Sequence, residues 1–386
     1  MWLTPMIRVE QVHDLQDVAA GDWNRLAGEA QPFLRHQFLA GLERHGCLHG
    51  HGWVPQHLLA IDTSERIQGA MPLYLKDNSY GEFVFDWTWA EAYERAGRPY
   101  YPKLVNAVPF TPVSGPRLLI DTQADRPAVT NALVDAARAL CERHGLASFN
   151  CLFPEETQAR VLASRGGLLR MGCQYHWDNP GYRDFQDFLD QLNAKHRKQI
   201  RRERREVAEA GIEVEVLAGA DISEEQWHIY HQFYRSTFDR KWGEPRLTLD
   251  FFQSLSGTMP AQTLLFMAKY QGRYVAGAFA MRGADTLYGR HWGCSEFHRH
   301  LHFEVCYYRT IEYCIEHGLK RLDAGAQGEH KLARGFRPVR TWSVHWLNDA
   351  GFRRAVAEFL GRETTMIEHY LEQLAGESPY RHTGTG

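Results

Sequence analysis

Thr263-Leu-Leu-Phe-Met-Ala-Lys-Tyr, the turn Gln271-Gly-Arg, Tyr274-Val-Ala-Gly-Ala-Phe-Ala-Met, the turn Gly283-Ala-Asp and Thr286-Leu-Tyr-Gly-Arg-His-Trp are three apolar runs separated by turn residues. Runs of this length, joined through glycine turns, predict a three-stranded antiparallel meander. From Phe303 to His317 the period changes. Phe303, Tyr307, Ile311, Cys314 and Ile315 share one helical face, and Gly318 supplies the stop. Leu319-Lys-Arg-Leu-Asp-Ala then reads as a strand, and Thr341 to Leu347 as the last one. A meander followed by helix and strand defines an α/β (α+β) domain whose mixed, largely antiparallel sheet is flanked by helices.

The first half repeats this order. His57-Leu-Leu-Ala-Ile-Asp and Ile67-Gln-Gly-Ala-Met-Pro-Leu-Tyr-Leu predict adjacent antiparallel strands. Lys103 to Val113 carries prolines 109 and 112, which predict a loop or an edge rather than a central strand. Pro127 to His144 is helical, stops at Gly145 and leads into a strand over Leu146 to Phe153. Two echoes fall at matching places: Cys141-Glu-Arg-His-Gly-Leu beside Cys314-Ile-Glu-His-Gly-Leu, and Arg66-Ile-Gln-Gly-Ala beside Arg273-Tyr-Val-Ala-Gly-Ala. Helix-glycine-strand junctions also recur by chance, so it is the matched element order that speaks for duplication. The division falls near Pro180-Gly181, giving tandem domains over residues 1–180 and 181–386.

A chain of 386 residues has room for two cores of about 150 residues each. With 44 basic and 47 acidic residues it has no chain-wide footprint for nucleic acid or membrane. No basic leader precedes an apolar stretch, and no run approaches the roughly 18 apolar residues of a spanning helix, so a cytoplasmic location is expected. The seven cysteines include no C-x-x-C pair and read as reduced thiols. His45, His49 and His51, and His298, His300 and His302, lack Cys or acidic ligands at suitable spacing, so no metal is expected. Nucleophile-elbow, P-loop and dinucleotide fingerprints are absent.

One segment departs from the neutral balance. A polar helix is expected over Phe185 to Ala210, and between Lys195 and Arg205 it holds seven Lys or Arg and one Glu. Such a run meets a phosphate-rich ligand, with Lys198, Arg201 and Arg205 as donor-binding candidates, or is a solvated face supported by Glu203, Glu206 and Glu209.

Arg290-His-Trp-Gly, Leu301-His-Phe-Glu-Val-Cys-Tyr-Tyr and the block from Glu316 to Phe336, with Pro72-Leu-Tyr-Leu-Lys, Ser79-Tyr-Gly-Glu-Phe-Val-Phe-Asp-Trp, Val108-Pro-Phe-Thr-Pro-Val and Gly115-Pro-Arg-Leu-Leu, resemble the bacterial FemAB-like predicted N-acyltransferases, also labelled peptidoglycan biosynthesis or recognition proteins. The resemblance covers nearly the whole chain and implies two fused domains of the GNAT acetyltransferase superfamily. Glu304 to Ala326 is further similar to the second domain of the Fem aminoacyltransferases, which use aminoacyl-tRNA and carry a Lys/Arg-rich helix entering that domain. Those enzymes also carry a lysine in a Phe-Lys-Lys-Gly-Phe-like segment. Aligned on Gly335-Phe336, that lysine falls on Ala333 or Arg334 here, and Lys331 lies two or three residues earlier.

Transfer of an acyl group to an amine needs a neutral amine, donors for the tetrahedral oxyanion and a surface for the activated carrier. Gly325-Ala-Gln-Gly-Glu-His-Lys sits at a strand's C-terminal end, where α/β sites gather, although a plain glycine-rich surface turn reads the same. Glu329 and His330 are the candidates for proton transfer, and Lys331 and Arg334 for binding phosphate or oxyanion. Asp323 and Glu304 would orient the amine, although Glu304 equally suits the positive end of a helix dipole. Gln327, His291, Trp292 and Tyr307, with Asp86 and Trp87 from the first half, complete the substrate-binding set; a lone histidine such as His291 also fits a core position.

Acetyl-CoA enzymes of the superfamily cradle pyrophosphate on a glycine-rich turn, whereas Ser295 to His302 holds no glycine. The resemblance implies an N-acyltransferase, and no tightly bound cofactor is expected. Its carrier co-substrate would be aminoacyl-tRNA, or acyl-CoA or acyl carrier protein, and its acceptor a small-molecule or peptide amine. The alternative is a non-catalytic module that binds a cell-wall precursor or nucleic acid.

Overall fold

The computed structural model describes residues 7–239, 244–325 and 328–381. A shared order of strand, two helices, antiparallel strands, crossover helix and strand occurs twice, with additional strands and helices in the first copy. The first copy runs β1 (Arg8–Val12), α1 (Ala20–Ala27), α2 (His36–Arg44), β2 (Trp53–Pro55), β3 (His57–Ile61), β4 (Ile67–Met71), β5 (Leu73–Lys76), α3 (Trp87–Arg95), β6 (Lys103–Asn106), β7 (Leu119–Ile120), α4 (Arg126–Arg143), β8 (Ser148–Leu152), α5 (Glu156–Ser164) and β9 (Leu168–Asp178). After α6 (Phe185–Gln191) and α7 (Ala194–Glu209), the second copy runs β10 (Ile212–Ala218), α8 (Glu224–Asp239), α9 (Leu249–Thr258), β11 (Thr263–Tyr270), β12 (Arg273–Arg282) and β13 (Thr286–Cys294). It continues with α10 (Leu301–Phe303), a π turn over Glu304–Tyr308, α11 (Arg309–Glu316), β14 (Arg321–Asp323), a 3-10 turn over Glu329–Arg334 and β15 (Arg337–Leu347). The helix α12 (Ala350–Gly376) ends it.

Two compact units result, one of residues 1–172 and 340–369, the other of 173–339 and 370–386. A single division at residue 180 does not describe them, for a topological reason. The end of β9 pairs with β14 in unit 2, matching His176 to Asp323, while the end of β15 pairs with β8 in unit 1, matching His345 to Asn150. Each copy's last strand thus supplies a histidine opposite Asp or Asn.

In unit 1 the strands order as β1-β3-β4-β7 and as β15-β8-β6-β5-β2; in unit 2 as β10-β11-β12-β13-β14-β9. The meander β11-β12-β13 is antiparallel as expected, and β14 joins β13 in parallel just as β8 joins β6. Parallel pairing requires a crossover, which α4 provides in one copy and α10 to α11 in the other. The echoed Cys-x-x-His-Gly-Leu motifs are the ends of these two helices. Gly145 and Gly318 take φ of +60° and +63°, and the N–H groups of Leu146 and Leu319 reach back to the carbonyls of Cys141 and Cys314 at 2.9 and 2.8 Å.

Two expectations change. Lys103–Asn106 is an interior strand, bonded to β5 on one side and β8 on the other, because Pro109 and Pro112 lie beyond its four paired residues. The basic helix is broken: buried Leu192 is extended, and the Asn193 carboxamide caps α7 by accepting the His196 N–H at 3.1 Å. Among the described residues no helix is long and apolar enough to cross a membrane.

Helix α8 lies against the end of β13. The hydroxyls of Tyr230, Thr237 and Ser236 donate to the carbonyls of His291, Trp292 and Cys294. At Gly293 the Phe233 carbonyl approaches so closely that a Cβ would collide with backbone. Gly293→Ala is expected to destabilise the fold by about 3 kcal/mol, since backbone cannot give way as a side chain does. Urea unfolding within about 1 kcal/mol of the parent would show that the helix can shift.

Candidate active site

Strands β13 and β14 pair over Thr286↔Arg321, Leu287↔Leu322 and Tyr288↔Asp323 and then part, because β14 ends while β13 runs on to Cys294. The gap holds a cavity of about 100 Å³ bounded by Gly289 to Trp292, Ala324 and, from the helix, His302, Cys306, Tyr307 and Thr310, with Phe266, Ala278, Phe279 and Ala280 behind. That is well below the roughly 300 Å³ at which pockets enclose a whole drug-sized ligand. It fits one end of a ligand.

Lys331 is 1% exposed. The 3-10 turn directs its ammonium to the carbonyls of Ala324 and Gly325, at 2.9 and 2.6 Å, on the backbone just beyond β14. Burial pushes its pKa down to about 8, Arg290 pushes the same way, and Asp323 and Cys306 push back. Asp323 is buried and accepts the Gly325 N–H at 2.9 Å. Its other oxygen faces His176 Nε2 at 3.6 Å, and neither atom has a hydrogen-bond partner among the described residues.

His330 shares a hydrogen bond of 2.9 Å between Nε2 and the Tyr307 hydroxyl and packs on Phe303. Partial burial, then the charges of Arg334 and Lys331, lower its pKa, which leaves a neutral imidazole at neutral pH. Burial and the same kind of neighbour, Arg290 and Arg246, push His291 down to about 3. Tyr307 is pushed up by burial. Glu329 is exposed and accepts the Tyr370 hydroxyl at 2.6 Å. It also borders a cavity of about 430 Å³ with Lys195, His196 and Glu377.

Other candidates are committed elsewhere. Arg334 is buried and places Nη2 2.9 Å from both oxygens of buried Glu203, Nε 3.0 Å from the Tyr308 hydroxyl and its plane 3.5 Å from the Phe303 ring. Glu304 lies in the π turn and takes three contacts of 3.0 to 3.2 Å from Arg204, which also pairs with Glu312. Burial raises Glu304, and Arg204 offsets only part of that. On α7, Ile200, Glu203 and Val207 face inward while Lys195, Lys198, Arg201, Arg202 and Arg205 form the exposed face. Arg202 and Arg205 lie 3.7 and 3.6 Å from Glu206 and Glu209. Gln327 falls outside the described residues.

Asp86 and Trp87 belong to unit 1. Asp86 is buried and bound by Lys103 and, at 2.6 Å, by the Tyr100 hydroxyl. Burial alone would raise its pKa; Lys103 and the neighbouring hydroxyls hold it down. Lys103 also binds Glu82 and Ser79 at 2.8 Å each, and burial pushes Glu82 up to about 7. Trp87 packs on exposed Tyr80, ring centres 4.8 Å apart. Sequence reading passed over His176, Cys306 and Lys103. The available signal for Lys103 was a lysine opening an otherwise apolar strand. Among the described residues no group of His, Cys, Asp and Glu converges in a way that could hold a metal.

Solved structures share this fold. FemX aligns over 90% of this chain and 100% of its own at 11% identity and a TM-score of 0.54. L-PGS from Bacillus licheniformis aligns over 86% and 98% at 14% identity and 0.52. The C-terminal domain of a putative lysylphosphatidylglycerol synthetase from Agrobacterium fabrum aligns over 87% and 95% at 12% identity and 0.52. At such identities the likeness concerns the fold alone. The FemAB-like profile of peptidoglycan biosynthesis/recognition proteins matches residues 14–382, and the chain belongs to that family. No match is found among curated proteins.

Proposed function

We propose that the protein is an N-acyltransferase that moves an acyl or aminoacyl group from an activated carrier to an amine, with a cell-wall peptide precursor as the acceptor class. The parted strands carry this reading: the small cavity is bordered by Ala324, whose carbonyl takes the buried Lys331 ammonium, and by Tyr307, whose hydroxyl shares a hydrogen bond with the neutral His330 imidazole. The acyl carbonyl enters the gap, and the amine, deprotonated by His330, forms the new C–N bond. The oxyanion is stabilised by Lys331, protonated below about pH 8. Collapse then breaks the C–O or C–S bond to the carrier, which leaves with the proton. Glu329 attracts the incoming ammonium.

The donor is proposed to be phosphate-rich. Lys198, Arg201 and Arg205 lie on the exposed face of α7, and Ser295 to His302 offers no glycine for a pyrophosphate cradle. Binding of an RNA carrier would weaken steeply with salt, in proportion to the phosphates contacted, and coenzyme A binding far less. Replacing Glu329 and His330 together by alanine is expected to lower transfer from a panel of charged tRNAs, acyl-CoAs and acyl carrier proteins by about 10²-fold or more. Undiminished turnover by that variant would remove both residues from the mechanism. Precursor binding without transfer by the parent protein would favour a binding module.

A further inference from the structure

Unit 1 has a cavity of its own. About 230 Å³ lies between the end of β7, the first turn of α4 and helix α5, with Ile120, Pro127 and Val161 giving it a mainly apolar wall. Arg126 and Arg165 stand at its border. The ionic groups around them are otherwise engaged: Glu156 pairs with Arg160 at 2.6 Å, and Asp125 caps α4 by accepting the Ala128 N–H at 3.0 Å. Gln158 is spent on the backbone of Arg117 and Leu118. Neither Arg126 nor Arg165 forms an ion pair among the described residues, and the Arg165 Nε is buried with no hydrogen-bond partner.

Two uncommitted guanidinium groups over an apolar wall select a ligand with a negative end and an aliphatic body. A planar guanidinium meets a carboxylate through two parallel hydrogen bonds. At about 30 Å³ per water, the space is on the order of eight non-hydrogen atoms. We propose that this groove binds a small soluble carboxylate with a short aliphatic chain, its carboxylate between Arg126 and Arg165 and its chain along Ile120, Pro127 and Val161. Val161, 45% exposed, is the side chain the ligand would cover.

The test needs no turnover, so its outcome is separate from that of the transferase reading. Octanoate is titrated into the full-length protein by calorimetry, with the Val161 methyl signals followed by NMR. Saturable binding is expected, weakened roughly tenfold or more by Arg126→Gln with Arg165→Gln and equally by exchange of octanoate for octanol or octylamine. Arg126→Gln alone lies on an exposed residue and serves if the double variant unfolds. Absence of saturable binding, binding indifferent to both arginines, or inorganic phosphate or acetate binding as tightly as octanoate would each overturn the proposal.

Discussion

Replacing Lys331 by methionine is expected to lower kcat/KM for acyl transfer by about 10²- to 10³-fold, the usual cost of removing one oxyanion donor, while leaving the fold as stable as before or more so. The two effects diverge because the ammonium is buried. In the unfolded chain the group titrates near 10.5 and in the folded protein near 8, so below pH 8 folding carries a penalty of about 3 kcal/mol from this side chain. The penalty fades between pH 8 and 10.5, where the unfolded chain still holds the proton, and that part of wild-type stability rises with pH. Methionine removes the penalty but gives up the hydrogen bonds to Ala324 and Gly325, at about 1 kcal/mol each. Thermal unfolding from pH 7 to 10 should show a flatter profile for the variant. A lower Tm at pH 7, with activity falling only in step, would make Lys331 a structural clamp.

The largest loss of stability is expected at the pair formed by Arg334 and Glu203. Arg334→Met strands a buried carboxylate and should cost about 3 to 5 kcal/mol, read from urea unfolding. Adding Glu203→Leu should recover most of it, since an apolar pair of similar volume spares both desolvation costs. Burial alone would raise the Glu203 pKa, but Tyr308, Gln199 and Arg334 outweigh it and hold it below the ordinary value. A depressed carboxyl contributes stability above its unfolded pKa near 4.5 and loses it as pH falls through the folded value. Wild type should therefore lose part of its advantage over the double variant below pH 4.5. A single variant within about 1 kcal/mol of wild type would release Arg334 for ligand binding.

Much of the fold was legible in sequence because it is written locally. Glycine turns at Gly272 and Gly283 separate the meander strands, and apolar residues at helical spacing end at Gly145 and Gly318, where the positive φ appears. The placement of Asp323, His330 and Lys331 was legible too, since a strand followed by a glycine-rich, charged loop puts such side chains at a strand end. The π turn at Glu304–Tyr308 was not, because a one-residue widening leaves no clear mark in an apolar period.

Arg334 and Glu304 show where reading along the chain stops. Both sit among candidate site residues and carry suitable charges, yet their partners are Glu203 and Arg204, 131 and 100 residues away. Lys103 likewise meets Glu82 and Asp86 only after β6 takes its place between β5 and β8. Element types, the repeated order and the loop that carries His330 and Lys331 follow from periodicity, caps and turns, which depend on neighbours a few residues apart. Which cations stay free for a ligand, and which copy each last strand completes, was decided by packing. A buried charge must find its counter-ion wherever the fold brings one, and a strand pairs with whichever open edge lies beside it.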